Sequence, residues 1–124
     1  MNVGFPRHTL ITTDQGIFPV QTLDPQRHTI NGEAILEVVQ APSPTKQVVC
    51  FVKDAFKQGY PSAPTFMAPD HHLFFQGRMV PAMSFVGVRG GVGMLEGYDK
   101  PLYNVVLPQH RMMLVHQLTC ETAL

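Results

Sequence analysis

Short apolar runs separated by prolines and glycines fill most of this chain, a pattern typical of β-strands rather than helices. LITT and IFPVQTL flank a glycine-containing turn at 14–16, which predicts a tight hairpin. HHLFF and MVPAMSF flank a similar turn at 76–78. No segment has a convincing helical period, and the 11 prolines lie mostly near strand ends. The sequence therefore predicts an all-β fold.

The remaining apolar runs predict further short strands. Strands are expected at 33–40 and 47–53, and LYNVVL and RMMLVHQL are expected to form a closing pair joined at 108–110. The Gly-rich segment 86–100 is interpreted as a long mobile connection. It is a poor phosphate-binding loop, because no Lys-Ser or Lys-Thr pair follows its glycines.

The first hairpin region is repeated later in the chain. HTLITTDQGIFPV (8–20) returns as HHLFFQGRMVPA (71–82), each with His-x-Leu, a turn glycine and a closing proline. A Pro-containing approach precedes each copy, GFPR in the first and MAPD in the second. Two copies are too few for a solenoid, so the repeat predicts two related β halves with internal pseudo-twofold symmetry.

Length and composition indicate one globular domain spanning 1–124. Apolar residues make up 44% of the 124 residues, charged residues make up 15%, and the net charge is zero. A neutral chain with scattered charges argues against nucleic-acid and membrane-surface binding, and we expect a monomer. The sequence contains no signal peptide and no run long enough to span a bilayer, and it assigns no cellular location.

Histidines at the junctions between loops and strands are the first candidates for chemistry. His71 follows a proline and sits beside Asp70, so it is a plausible proton donor near neutral pH. The simpler interpretation is that His71 or His72 only begins a strand. His110 lies at another junction, whereas His116 alternates with apolar neighbours and is predicted to be a packed strand residue.

The two cysteines carry less information. Cys120 lies among polar residues and would be a nucleophile only if a neighbouring base lowered its pKa, and Cys50 is expected in the core. A zinc site from His71, His72, His110 and a cysteine is disfavoured, because adjacent strand residues point to opposite faces. We expect neither a metal nor a cofactor.

Three ordered segments together resemble the Hint superfamily, the self-processing domains of hedgehog proteins, inteins and related bacterial and viral proteins. GFPRHTLITTDQGIFPVQTL is similar to the first block of that family, and FMAPDHHLFFQGRMVPAMSF is similar to the second. LYNVVLPQHRMMLVHQLTCET is similar to the closing blocks, with Tyr-Asn, a His and a Glu-Thr ending. The resemblance implies a compact all-β horseshoe with pseudo-twofold symmetry.

The resemblance also implies a reaction. In the family a cysteine at the first position attacks the preceding carbonyl, turning a peptide bond into a thioester that water, a thiol or another nucleophile then takes. The block-two histidine, here His71, assists the departure of the scissile nitrogen, and Asp70 would orient it or hold the turn. By this mapping the scissile bond is Val3–Gly4, residues 1–3 are a residual leader, and the partner is the chain's own N-terminal flank. His110 and Cys120 are second-rank candidates, and backbone N–H groups would stabilise the oxyanion.

The chain departs from the family at the reacting positions. Gly4 stands where the nucleophilic cysteine is expected, and Ala68 stands at the block-two Thr or Ser. The ending His116-Gln117 followed by Leu118 does not support splicing. Gly4 is explained either by an engineered Cys-to-Gly change that traps an uncleaved precursor, which the form of the first block favours, or by natural loss of the nucleophile. In the second case the domain is a non-catalytic binding module, with a groove near Phe74, Phe75 and Met79.

Overall fold

The computed structural model describes residues 4–123 and confirms the all-β prediction. Its only helical elements in that range are two short 3₁₀ turns, Val20–Thr22 and Ala82–Phe85. The strands are β1 Leu10–Thr13, β2 Gly16–Pro19, β3 Thr29–Ile30, β4 Glu33–Ala34, β5 Glu37–Pro42, β6 Gln47–Phe51, β7 Thr65–Met67, β8 His72–Phe75, β9 Arg78–Pro81, β10 Val92–Glu96, β11 Pro101–Val106, β12 Met112–Val115 and β13 Leu118–Glu121. Within 4–123 no helix is long and apolar enough to cross a membrane.

The largest sheet has six strands in the order β2-β1-β12-β13-β8-β9. The two hairpins of the repeat form its outer pairs, and the closing hairpin β12–β13 lies between them. Ile11 of β1 pairs with Val115 of β12, and Leu73 of β8 pairs with Cys120 of β13. The pseudo-twofold axis therefore passes between β12 and β13, which join the two halves.

Equivalent hydrogen bonds define how the halves correspond. The N–H of Val20 donates to the carbonyl oxygen of Thr9 at 2.8 Å, and the N–H of Ala82 donates to that of His71 at 2.8 Å. In each half this bond ties the 3₁₀ turn that follows the hairpin to the residue before its first strand. Thr9 is therefore the counterpart of His71, and the sequence register that matched His8 with His71 is wrong by one residue.

The register error comes from matching two leucines in different environments. Leu73 is 1% exposed, whereas Leu10 is 37% exposed. The buried residue that corresponds to Leu73 is Ile11, which is fully buried and pairs toward β12. Side chains alternate between the two faces of a strand, so moving the register by one residue places every side chain on the other face. Aligning the two copies on His-x-Leu therefore matched a buried leucine with an exposed one.

The smaller sheets change two of the sequence-based predictions. The segment 86–100 contains β10, which pairs with β6 from Val92↔Phe51 to Glu96↔Gln47, so its interpretation as a connection is wrong over that stretch. The prediction took the glycines of this segment as the sign of a loop, because glycine is uncommon inside strands. Gly93 nevertheless lies within β10 and pairs with Cys50. The strand predicted at 33–40 is split into β4 and β5, and β5 pairs with β11.

An aromatic cluster fills the core beside the second hairpin. Phe85 from the 3₁₀ turn meets Phe56 and Phe75 edge-on, with ring centroids 5.2 and 5.1 Å apart. Phe51 of β6 lies 5.7 Å from Phe56. Edge-to-face packing of aromatic rings stabilises a fold by more than the burial of their apolar area alone. The cluster therefore fixes β6 and the second hairpin against each other.

His116 lies in the turn between β12 and β13, not within a strand as predicted. Its φ of 48° is followed by 69° at Gln117, the geometry of a two-residue hairpin turn. The N–H of Leu10 donates to Nε2 at 3.1 Å, so Nδ1 carries the proton and donates to the Thr65 hydroxyl at 2.8 Å. Burial lowers the pKa of His116, which favours this neutral form. The ring thus links β1 to β7.

Replacing His116 tests this link. His116→Ala should lower the free energy of unfolding by about 1–3 kcal/mol, because it leaves two polar groups without their partner and puts alanine at a positive φ. His116→Asn is the matched control, since asparagine tolerates the turn but is too short to bridge both partners. Urea denaturation measures both, and an unchanged midpoint in both variants would show that the bridge contributes nothing.

Candidate functional site

The candidate site is built around residue 4, where the chain passes between β11 and the turn that precedes β8. The N–H of Phe5 donates to the carbonyl oxygen of Tyr103 at 2.8 Å, and the N–H of Tyr103 donates back at 2.6 Å. On the other side the N–H of Ala68 donates to the carbonyl oxygen of Gly4 at 3.0 Å. The two sides together fix Gly4 and Phe5 in one position. Val3, the other half of the expected scissile bond, lies outside the described residues.

The backbone at Gly4 leaves no room for a side chain. Its φ is +85°, a left-handed conformation that favours glycine. A Cβ built there would overlap the carbonyl oxygen of Tyr103 and lie 2.9 Å from the Cβ of Asn104. A cysteine at this position therefore requires the Phe5–Tyr103 pair to shift, which the sequence did not indicate.

His71 lies against Phe5, the residue that follows Gly4. Its side chain is fully buried, and its ring centroid is 4.6 Å from that of Phe5. Nε2 lies 3.0 Å from the backbone carbonyl oxygen of Glu121. A carbonyl can only accept, so Nε2 carries the hydrogen and Nδ1 is left with a lone pair. Nδ1 is buried and has no hydrogen-bond partner among residues 4–123.

The environment of His71 keeps its ring neutral. Burial lowers its pKa from the ordinary 6.5 to about 4, against the opposing effect of the nearby Glu121 charge. At neutral pH Nδ1 is thus a hydrogen-bond acceptor and a base. The sequence-based prediction gave His71 the role of a proton donor, and this ring must first take up a proton before it can give one.

Glu121, which the sequence reasoning did not single out, organises the histidines around His71. Its carboxylate is 5% exposed and accepts the N–H of His72 at 2.6 Å and Nε2–H of His110 at 2.9 Å. Nδ1 of His72 lies 3.2 Å from the same carboxylate. A Glu-Thr ending was visible in the closing block, but nothing in its spacing showed that β13 would run beside β8.

The predicted partners of His71 are only partly brought together. Asp70 is exposed, and its backbone carbonyl accepts Nδ1–H of His72 at 2.9 Å. The contact that orients the His71 ring comes from Glu121 and not from the Asp70 carboxylate. Asp70 does lie in the turn closed by the N–H of His71 and the carbonyl of Ala68, at 3.0 Å.

Cys120 does not meet the requirements of a nucleophile. It is fully buried in the core on β13, paired with Leu73 and Met113. Burial, and then the charge of Glu121, raises the pKa of its thiol well above the ordinary value. Partial burial also raises the pKa of Cys50. Across residues 4–123 no group of three or more His, Cys, Asp or Glu side chains is arranged to hold a metal ion.

Asn104 is a second polar residue that the sequence reasoning passed over. It is fully buried on β11 beside Gly4. Its Oδ1 accepts the N–H of Val105 at 2.8 Å, whereas its Nδ2 is buried and finds no hydrogen-bond partner in the part of the chain that the structure describes. An asparagine inside the apolar run LYNVVL was the available signal, because buried amides are normally paired.

Comparison with known proteins supports the fold. No protein-family model matches the chain, and no similar sequence is found among characterised proteins. Among solved structures, the chain is similar to a GSH-linked, splice-inactive variant of the AceL NrdHF class 3 split intein. The two superpose with a TM-score of 0.58 at 12% identity, over 98% of each chain. The predicted Hint-type fold is confirmed by this likeness.

The burial of His71 predicts a pH-dependent stability. Its pKa of about 4 in the folded chain is below the ordinary 6.5, so the unfolded chain binds the proton first as pH falls. The free energy of unfolding should decrease between pH 6.5 and pH 4, by about 3 kcal/mol in total. Urea denaturation across this range should show a shallower decrease in His71→Gln, and an equal slope in both proteins would contradict the assignment.

The close packing at Gly4 predicts a large cost for any side chain there. Gly4→Ala should lower the free energy of unfolding by more than about 2 kcal/mol, from backbone strain and overlap with β11. Gly32→Ala is the matched control, because Gly32 has a φ of +79° with no atom within 4 Å of a built Cβ. Equal losses in the two variants, measured by denaturation, would show that the overlap at Gly4 is relieved at no cost.

Proposed function

We propose that this chain is a self-processing domain that holds the peptide bond before residue 4 against His71, and that processing stops there because Gly4 has no nucleophile. The partner is the chain's own N-terminal flank, acting in cis. The observation that carries the proposal is the buried Nδ1 of His71, which has no hydrogen-bond partner within residues 4–123 and belongs to a ring packed on Phe5, the residue after Gly4. A buried lone pair without a partner costs stability, and an N–H group of the flanking peptide would satisfy it.

A cysteine at position 4 would complete the reaction in a balanced way. Its thiol gives a proton to Nδ1 of His71, and its sulfur forms a bond to the carbonyl carbon of residue 3. The C–N bond then breaks, and the departing nitrogen takes the proton back from Nδ1. The products are a thioester and a free amine at residue 4, and the thioester passes to water, a thiol or another small nucleophile.

The residues that the resemblance matched to a splicing end lie inside the six-stranded sheet and not at its end, so that match is wrong and gives no support for splicing. The pair His116-Gln117 forms the β12–β13 turn, and Leu118 begins β13 with a side chain that cannot accept an acyl group. We propose accordingly that processing is confined to the N-terminal bond.

A second candidate function follows from the geometry of Gly4. A backbone that excludes every side chain at this position suits a domain that has lost the reaction and kept the fold as a binding module. A surface groove of about 820 Å³ between β9 and the following turn, lined in part by Phe75, Arg78 and Met79, would give such a module a contact surface. Met83 and Val88, 47% and 83% exposed, lie in the same turn region.

Restoring the thiol separates the two functions. A folded reporter is fused before Met1, and release of the reporter is followed by mass spectrometry with and without added thiol. Gly4→Cys should release it, whereas the unchanged chain and Gly4→Ala should not. Gly4→Ala is the matched control, because it adds the same Cβ and the same strain without the sulfur. A Gly4→Cys protein that folds and stays intact would support the binding module.

The role of His71 is tested in the same background. Adding His71→Ala to Gly4→Cys should slow thioester formation by roughly 10²–10⁴-fold, because the ring shuttles the proton from sulfur to nitrogen. His110→Ala is the comparison, since His110 contacts the carboxylate of Glu121 and not the reacting atoms. A rate that His71→Ala leaves unchanged would remove His71 from the mechanism.

A further inference from the structure

We propose that two surface grooves that share Arg89 bind an acidic, apolar peptide segment of a partner protein, and that a carboxylate of this segment pairs with the Arg89 guanidinium. The inference goes beyond self-processing and does not require the reaction at residue 4. It names the chemistry of the partner that the binding module, the second candidate function, would take.

The two grooves have three residues in common. The groove of about 820 Å³ beside β9 is lined in part by Phe75, Gln76 and Arg89. A second groove of about 480 Å³ lies between the loop that follows β6 and strands β8 and β13, and the same three residues line it. A peptide lying along both grooves would therefore cross the side chain of Arg89.

The guanidinium of Arg89 is held in place by the protein. Its Nε donates to the carbonyl oxygen of Ala55 at 3.3 Å, and its Nη2 donates to that of Phe56 at 3.3 Å. Its Cζ lies 5.0 Å from the ring centroid of Phe56 and 5.3 Å from that of Phe75, within the range of cation–π attraction. Because the side chain is ordered in advance, a ligand loses less entropy in binding to it.

The same contacts leave one edge of the guanidinium for a ligand. Nε and the adjacent N–H of Nη2 are directed to the two backbone carbonyls. The other edge, formed by Nη1 and the second N–H of Nη2, has the pair of donors that a carboxylate accepts. No carboxylate within residues 4–123 forms an ion pair with Arg89. A carboxylate from another chain is therefore the group that fits this edge.

The linings of both grooves are positively charged. Arg78 lines the first groove together with Arg89, and Lys57 lines the second. Among the described residues, neither lining includes an aspartate or a glutamate. The chain as a whole has a net charge of zero, so these three cations form a local excess of positive charge. Such an excess attracts an acidic partner and disfavours a basic one.

Apolar side chains make up much of the remaining surface, which favours a peptide over a nucleic acid. Val88 of the first groove is 83% exposed, and Phe74 of the second is 51% exposed. Apolar side chains of a partner would remove this surface from water. A nucleic acid instead requires a row of phosphate contacts, and three cations do not provide one. The occupant is therefore a peptide that combines carboxylates with apolar side chains.

The first test measures binding to the unchanged chain. The probe is a short fluorescein-labelled peptide in which Asp and Leu alternate, and its matched control has Asn in place of every Asp. Fluorescence anisotropy at low salt should show the acidic peptide binding at least about 10-fold more tightly, with a difference that narrows as salt rises. Equal affinity of the two peptides would overturn the inference. Tighter binding of a labelled oligothymidine of the same length would also overturn it.

The second test removes the guanidinium. Arg89→Gln should weaken binding of the acidic peptide by roughly 10–100-fold, because the charge-assisted pair is lost. Arg27→Gln is the matched control, since Arg27 is exposed, lines neither groove and carries the same charge. Its removal should change the affinity by less than about twofold at physiological salt. Equal losses in the two variants would show that only net charge matters and would overturn the inference.

Mapping the bound peptide by NMR gives a test that does not depend on how Arg89→Gln folds. Addition of the acidic peptide to the unchanged chain should shift the backbone amide signals of Gln76 and Arg89 and leave that of Arg27 in place. Shifts that avoid both grooves would overturn the inference. All these measurements use the chain that carries Gly4, so they are independent of reporter release by Gly4→Cys. Loss of peptide binding would leave self-processing standing, and a failure of release would leave the peptide site standing.

Discussion

The backbone pair between Phe5 and Tyr103 is the contact on which the candidate site depends. Its two hydrogen bonds fix Phe5 against β11, and the N–H of Ala68 holds Gly4 from the other side. These bonds place Phe5 against the ring of His71 and place Gly4 against Asn104. The same closeness excludes a side chain at Gly4, so the geometry that assembles the site also restricts what can occupy its first position.

The chemistry of the site follows from burial more than from charge. His71 is oriented by a backbone carbonyl, and removal from water keeps its ring neutral. The carboxylate of Glu121 is directed away toward His72 and His110, which are exposed to solvent at their outer sides. The result is two buried polar atoms, Nδ1 of His71 and Nδ2 of Asn104, without a hydrogen-bond partner in the described part of the chain, and a separate, more polar cluster around Glu121.

The sequence predicted the fold better than the site. The short alternating apolar runs were enough to predict the all-β class, and the repeated hairpin was enough to predict two related halves. Both features can be recognised from the local sequence pattern. The position of His71 was also predicted, since a proline turn before a strand is a local signal. Glu121 and Asn104 were missed, because their importance comes from pairings between strands that are distant along the chain. The exclusion of a side chain at Gly4 likewise depends on β11, about a hundred residues further on.

The central place of β12 and β13 in the six-stranded sheet has a consequence for synthesis of the protein. These are the last two strands in chain order, yet they join the first hairpin to the second and supply the carbonyl that orients His71. A nascent chain still held in the ribosome at that stage has both hairpins but no bridge between them. The candidate site around Gly4 and His71 can therefore assemble only after β13 has emerged, and the self-processing proposed above would wait until translation has passed Glu121.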